Sequence, residues 1–293
     1  MKALIIAEHA AAAAELVAGA RTMADEVVAI SFGGAYECGA DKVLNITVPE
    51  GLTVDSAVDT VNAAFDAENP EVVLVEACRH MKVIAGSLAF HADTAVITDV
   101  TAFEAEGAKS MYFGGIAERV QKAAGNVAIY TIGAGVFDGA EGANGSVAEQ
   151  EWVAPARPVK VVSSQVIEKS GVNLFKADVV VAAGRGFAEE SQLSMANDLC
   201  DKLGAGLACS RPLTEGVNWL PTERYVGVSG LMLTPKAYIA VGISGQMQHM
   251  VGCNRSGAIF AINKDKNAPI FKQCDFGLVG DIKDVLPAIT AAL

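Results

Sequence analysis

Apolar positions along the chain fall into short unbroken runs rather than strict alternation. Ala3–Ala7, Glu26–Ser31, Lys42–Val48, Val72–Glu76 and Thr94–Thr98 each read as a strand hidden on both faces, the pattern of a parallel sheet. Between several of them lie stretches with helical spacing, Ala10–Met23, Val54–Glu68 and Arg79–His91, long enough for crossover helices. The pattern predicts an N-terminal open, mainly parallel α/β sheet. Lys109–Gly114 and Val127–Ile132 add strands, and the glycine-rich, aperiodic run 133–145 reads as a loop. Lys160–Ile167 is expected to be one more strand. A boundary between Ser146 and Leu174, set at 165/166, gives an N-terminal scaffold and partner-contact domain (1–165) and a C-terminal domain (166–293).

The C-terminal half repeats one arrangement. Asp178–Ala183 is an apolar run followed by Gly184-Arg185-Gly186 and a helix from Ala188 to Leu203. Gly206–Cys209 leads to Ser210-Arg211-Pro212, Tyr238–Val241 to Gly242-Ile243-Ser244-Gly245, and Ala258–Ile262 to Asn263-Lys264-Asp265. If these strands are parallel, as in a Rossmann-like sheet, their polar ends converge on one rim, where open α/β sheets bind ligands.

The centre of this half is the βαβ-type stretch Ala237–Asp265. Gly242 and Gly245 permit a sharp turn close to a ligand, and Ser244 is positioned to cap a short helix whose free N–H groups attract a phosphate. A tight turn with no ligand is the alternative. Gln246, Gln248 and His249 follow at once, polar groups among buried strands that need partners.

Charge separates the halves. Residues 1–157 hold 9 basic and 22 acidic side chains, net −13, whereas residues 158–293 hold 13 and 12, net +1. The neutral half is the better host for a doubly negative pyrophosphate; solvated acidic helix faces are the plainer account of the other. A net charge of −12 disfavours nucleic acid as a partner. Glu8 and Glu15 interrupt the apolar N-terminus, so neither a signal peptide nor membrane insertion is expected, and the expected compartment is the cytoplasm. The six cysteines lack CxxC spacing and, with four histidines, make no metal pattern; they are expected to be reduced and mostly buried. No G-x-G-x-x-G follows the first strand, so the N-terminal domain does not call for a nucleotide.

Individual residues keep two readings each. Arg185 is a turn arginine or a ligand contact. Arg211, held extended by Pro212, is an aimed cation or half of a salt bridge. His249 is an ordinary histidine or, because its helix starts from the phosphate turn, a ligand group; Asn263 can pair with ribose or phosphate oxygens, and Asp281 is a helix N-cap or a contact. Trp219 and Tyr225 are explained equally by loop packing.

The words GRG (184–186), SRP (210–212), YVGVSG (225–230), VGISGQMQH (241–249) and AINKDKNAPIF (261–271) resemble the α subunit of electron transfer flavoproteins, most closely its carnitine- and nitrogen-fixation-associated branch. The first domain resembles the family chiefly through SMYFGG (110–115). The resemblance implies FAD held by the C-terminal domain, a heterodimer with a β subunit, and electron transfer from an acyl-CoA-type dehydrogenase or other redox partner to a downstream acceptor. It implies FAD contacts at Arg185, Ser210, Arg211, Val226, Gly227, Val228, Ser229, Ser244, Gly245, Gln246, Met247, Gln248, His249, Asn263, Asp281 and Ile282. Among these, Arg211 is similar to the arginine near the flavin ring, Ser229 to the hydroxyl near N5 and His249 to the histidine near the C2 carbonyl. Many members carry Gly-Gln-Thr where this chain has Gly227-Val228-Ser229, which removes a glutamine contact from the expectation; Ser229 keeps the hydroxyl, so flavin binding stays expected while the potential is left open.

No nucleophile with its base, carboxylate pair or metal set appears, so the expectation is an electron carrier and not an enzyme. The rivals are an NAD-dependent enzyme with His249 as acid or base, and a non-redox scaffold of the same fold.

Overall fold

The computed structural model describes residues 1–139, 142–165 and 172–293. The chain divides into two compact units, Met1–Tyr112 with Ala117–Val166 and Phe113–Ile116 with Ile167–Leu293.

The first unit carries strands β1 (Lys2–Ile6), β2 (Glu26–Phe32), β3 (Lys42–Ile46), β4 (Val72–Glu76), β5 (Val96–Glu104), β6 (Gly107–Tyr112), β7 (Ala117–Gln121), β8 (Ala128–Ile132) and β9 (Ser146–Glu149). Its helices are α1 (Ala10–Arg21), α2 (Val58–Glu68) and α3 (Arg79–His91). The sheet order is β7-β6-β5-β8-β4-β1-β2-β3-β9, parallel except at the β5–β6 and β6–β7 pairs. Alternate residues serve opposite faces: Leu4, Ile6, Val28 and Ile30 pack with Val61, Met81, Ile84 and Leu88 of α2 and α3, while Ala3, Ile5, Val27 and Ala29 pack with Leu16 and Val17 of α1. Burial on both sides is why these strands read as continuous apolar runs.

Helix α1 stops two residues before the predicted Met23, where Thr22 Oγ1 donates to the Gly19 carbonyl at 2.7 Å. The predicted Val54–Glu68 helix opens with a 3-10 turn, Val54–Ala57. The expected strand Lys160–Ile167 does not form among the described residues; its last two residues lie outside them. Lys160 makes one isolated antiparallel bridge to Leu52, because the backbone here bonds to a loop instead of a sheet edge: Thr53 N donates to Val159 O at 3.1 Å and Val161 N to Gly51 O at 2.9 Å.

At the rim of β1 and β4, where the strand order reverses, the carboxylate of Glu76 accepts from the amides of Glu8 (2.8 Å) and His9 (3.1 Å) at the start of α1, and pairs with His9 Nδ1 at 2.7 Å. A built-in carboxylate thus occupies the amides that a phosphate uses in nucleotide-binding relatives of this topology.

The second unit holds β10 (Val179–Ala183), β11 (Gly206–Cys209), β12 (Ala237–Val241), β13 (Ala258–Asn263) and β14 (Phe276–Val279), with α4 (Leu193–Leu203), α5 (Met247–Met250) and α6 (Ile282–Ala292). All pairs are parallel, in the order β11-β10-β12-β13-β14. Helices α4 and α6 cover one face through Leu199 and Leu286; on the other, Val180, Tyr238 and Ala240 pack with Met250, Cys253 and Ile270. The predicted helix from Ala188 begins as a 3-10 turn at Glu190–Gln192, whose Gln192 Oε1 accepts from Ala188 N at 2.9 Å. The mixed, parallel-dominated α/β class agrees with the sequence expectation. No helix among the described residues is long and apolar enough to cross a membrane.

Candidate functional site

Strand order alone locates the site. With β10 flanked by β11 and β12, the strand order reverses at β10, and the crevice at such a switch point is the usual ligand position. A cleft of about 770 Å3 opens there, within the second unit, between the segments that follow β10, β11, β12 and β13. That volume falls in the range of cofactor pockets.

The glycines after β12 serve the chain's own backbone first. Gly242, at φ +64°, is so close to Gly186 that an added Cβ would stand 2.7 Å from the Gly186 Cα, and Gly186 N donates to Gly242 O at 2.9 Å. At Gly245, φ +83°, a Cβ would meet the Ile270 backbone at 2.4 Å. These contacts give the sharp turn a second reason, since they let it nest against its neighbours, and Gly242 still lines the cleft.

Ser244 is not the helix cap. Gln246 holds that position, without a side-chain bond, and the helix it opens has only four residues. The main chain of Ser244 instead accepts from Ile270 N at 3.0 Å, which draws the turn toward the Pro269–Lys272 segment. The anion-binding character lies in the backbone: among the described residues, the amides of Ser244, Gly245, Gln246 and Met247 have no hydrogen-bond acceptor. Successive unspent N–H groups beside a positive-φ residue form a nest suited to phosphate oxygens.

Arg211 is helical (φ −45°, ψ −42°), not extended. The cost of a helical residue before proline is offset by a turn in which Thr214 N (3.1 Å) and Glu215 N (3.0 Å) both donate to the Arg211 carbonyl. Its Nε donates to Glu215 Oε2 at 2.6 Å, and that carboxylate holds the guanidinium pKa above its usual value. The cation and its partner both line the cleft. Arg185 lines it too, exposed, and pairs with no carboxylate among the described residues.

His249 is 8% exposed. Its Nε2 lies 3.0 Å from the hydroxyl of Tyr238, while Nδ1 is buried without a hydrogen-bond partner among the described residues. Burial lowers its pKa to about 4, so the ring is neutral at pH 7; the Val226 carbonyl pulls weakly the other way. An orphaned imidazole nitrogen in a cleft wall calls for a ligand partner.

The cleft brings together Arg185, Ser210, Arg211, Val228, Ser244, Gln246, Gln248, His249 and Asn263. It does not include the other expected contacts in its wall. Val226 is fully buried and Gly227 N is bonded to Leu231 O, so these two support the turn from which Val228 N donates to Gln248 O at 2.8 Å. Ser229 is exposed and shares a 3.1 Å hydrogen bond with Tyr225. Met247 follows the Gln246 cap. Asp281 caps α6, accepting from Lys283 N at 2.9 Å, and Ile282 is buried behind it. Asn263 is partly spent: Nδ2 donates to Ile243 O and Oδ1 accepts from Asp265 N, both at 2.9 Å. Trp219 packs at the edge of the core under α4 and α6.

Sequence reasoning missed Glu215 and Tyr238. The four-residue spacing from Arg211 was a signal for the first. For the second, the signal was a tyrosine hydroxyl inside a strand buried on both faces, which obliges a polar partner.

The family model described as "Electron transfer flavoprotein domain" matches residues 3–157, and that described as "Electron transfer flavoprotein FAD-binding domain" matches residues 173–254. Protein FixB of Escherichia coli O127:H6 is 39% identical over 293 residues, covering 95% of this chain and 94% of its own length; Protein FixB of Shigella flexneri matches at the same level. By both measures the chain belongs to the electron transfer flavoproteins, as a FixB-like α subunit, a family of electron carriers rather than catalytic enzymes.

Proposed function

We propose that the second unit binds FAD in its cleft and that the chain, paired with a β subunit in the cytoplasm, carries electrons from a dehydrogenase to a downstream acceptor. One observation carries this reading: the match to the FAD-binding family domain spans Arg185, Arg211, Gln248 and His249, which converge on a single cleft beside a turn of unspent amides. When bound, FAD supplies a ring that takes up and releases electrons and gains negative charge over its N1–C2=O edge on reduction.

The chain's own groups suit that cofactor. The amides of residues 244–247 would hold pyrophosphate oxygens without spending a charged side chain. Arg211, tempered by Glu215, would bring a permanent cation from the cleft wall to the bound cofactor. His249 offers a neutral imidazole whose free nitrogen is held in a place that water does not reach. Partly spent Asn263 retains one N–H and one lone pair for a ribose or phosphate oxygen. The acidic first unit has its own switch-point amides filled by Glu76 and serves as a scaffold facing the partner.

The test is purification with the partner subunit, followed by the visible spectrum and a count of flavins per heterodimer. A yellow heterodimer whose flavin is lost on Arg185→Glu substitution is expected. A colourless protein that binds NAD, or binds neither dinucleotide, overturns the proposal.

A further inference from the structure

The buried pair Tyr238–His249 has a direction that the distances and chemistry determine. Tyr238 lies on β12 with no exposed surface, and among the described residues its hydroxyl has two polar neighbours, His249 Nε2 at 3.0 Å and the Cys253 thiol. A thiol is a weak acceptor, whereas an unprotonated imidazole nitrogen is a strong one. The phenolic proton therefore goes to Nε2. The opposite arrangement, Nε2–H donating to the phenol, would leave the phenolic proton only sulfur. The histidine is neutral, so it carries one proton, and that proton sits on the nitrogen the tyrosine does not use.

We infer that Tyr238 is a positioning residue: its hydroxyl donates to Nε2 of His249, fixes the ring as the Nδ1–H tautomer, and so makes the orphaned Nδ1 a hydrogen-bond donor for an acceptor oxygen of the bound cofactor. The inference rests on the proposed FAD reading for the identity of that oxygen, a carbonyl of the flavin ring; the tautomer itself rests only on the protein. Its consequence is directional. A donor at Nδ1 favours a ring carbonyl that gains negative charge on reduction, whereas a bare Nδ1 would repel it. Because the tyrosine side chain is locked in the sheet, the donor needs no reorganisation when the charge arrives.

Nitrogen-15 NMR of histidine-labelled, full-length protein at pH 7 tests this, with His249→Gln used to assign the His249 resonances among the four histidines. The expected result is a protonated Nδ1 and a bare, accepting Nε2. In Tyr238→Phe the tautomers should mix, and the reduced flavin should be bound about tenfold less favourably relative to the oxidised form, a fall of about 59 mV for one electron. Cys253→Ala should leave both readouts unchanged. Nε2–H or imidazolium in the native protein overturns the inference, as does a Tyr238→Phe protein with unaltered resonances and potential. If Tyr238→Phe does not fold, the native resonances alone decide the tautomer. Absorbance of the same samples keeps the two readings apart: a colourless native protein with Nδ1 protonated refutes the FAD assignment and, with it, donation to a flavin, while the tautomer stands.

Discussion

Gly186 lies so near Gly242 that a Cβ on Gly242 would fall 2.7 Å from the Gly186 Cα. This contact brings the turns after β10 and β12 together at the switch point, and it joins two demands at one residue, a left-handed φ of +64° and absence of a side chain. Gly204, at φ +61°, has the first demand without the second, since nothing stands within 4 Å of its Cβ position. Gly204→Ala should cost about 1–2 kcal/mol, the usual penalty of an L-residue in that region, and Gly242→Ala clearly more. Urea unfolding of the two variants compares them; equal losses would mean that the backbone yields at the contact.

Glu215 should temper the cation at the cleft. Glu215→Gln frees the Arg211 guanidinium from its 2.6 Å partner, so the flavin should become easier to reduce, while Arg211→Ala should make it harder and disturb the oxidised form least. Both side chains are largely exposed, so neither change should move the unfolding midpoint appreciably. Dithionite titration reads the potentials. Unchanged potentials in both variants would confine the pair to a surface role.

The buried histidine sets a pH dependence. His249 titrates near 6.5 when unfolded and at about 4 in the fold, so between those values the unfolded chain binds more protons than the native one. Stability should be fully present above pH 6.5 and fall as the pH drops toward 4, by roughly 3 kcal/mol from this group. His249→Gln should flatten that slope. Chemical denaturation at pH 7.5 and pH 5 gives the comparison, and identical pH losses in native protein and variant would contradict it.

The thiols should be quiet. Burial raises Cys78, Cys209 and Cys253 to about 12 and Cys200 to about 11, leaving almost no thiolate near neutrality. A thiol-disulfide reagent at pH 8 should therefore react slowly with these four in the native protein and rapidly with all six cysteines after denaturation. Fast native labelling at Cys209 or Cys253 would show that the core of the second unit opens readily.

Much of the architecture was written in neighbouring residues. The predicted helix Arg79–His91 and strand Gly206–Cys209 coincide with α3 and β11 end for end, because helical spacing and an apolar run bounded by glycine are local signals. The rim of strand ends was legible for the same reason: each apolar run stops at a glycine, serine or asparagine, and a parallel sheet gathers such ends on one side. The family words at 184–186, 210–212 and 241–249 lie on that rim.

Other features depended on partners distant in sequence. Strand β7, Ala117–Gln121, is polar and half exposed because it pairs at an antiparallel edge, and β9 exists because β3 offers it a free edge; neither has an apolar run of its own. Lys160 met a loop where the pattern promised a sheet. Arg211 took a helical geometry because two amides downstream compete for its carbonyl, and the glycines at 242 and 245 answer to Gly186 and Ile270. The state of His249 could be decided only in three dimensions: a histidine in a polar run carries no mark of its tautomer, and a tyrosine on the adjacent strand, with 3.0 Å between hydroxyl and ring nitrogen, is what assigns the proton. Sequence determined the apolar strands, the longer helices and where their polar ends collect, since those follow from local periodicity. Hydrogen-bond partners and protonation belong to tertiary structure, since both depend on which groups burial leaves without water.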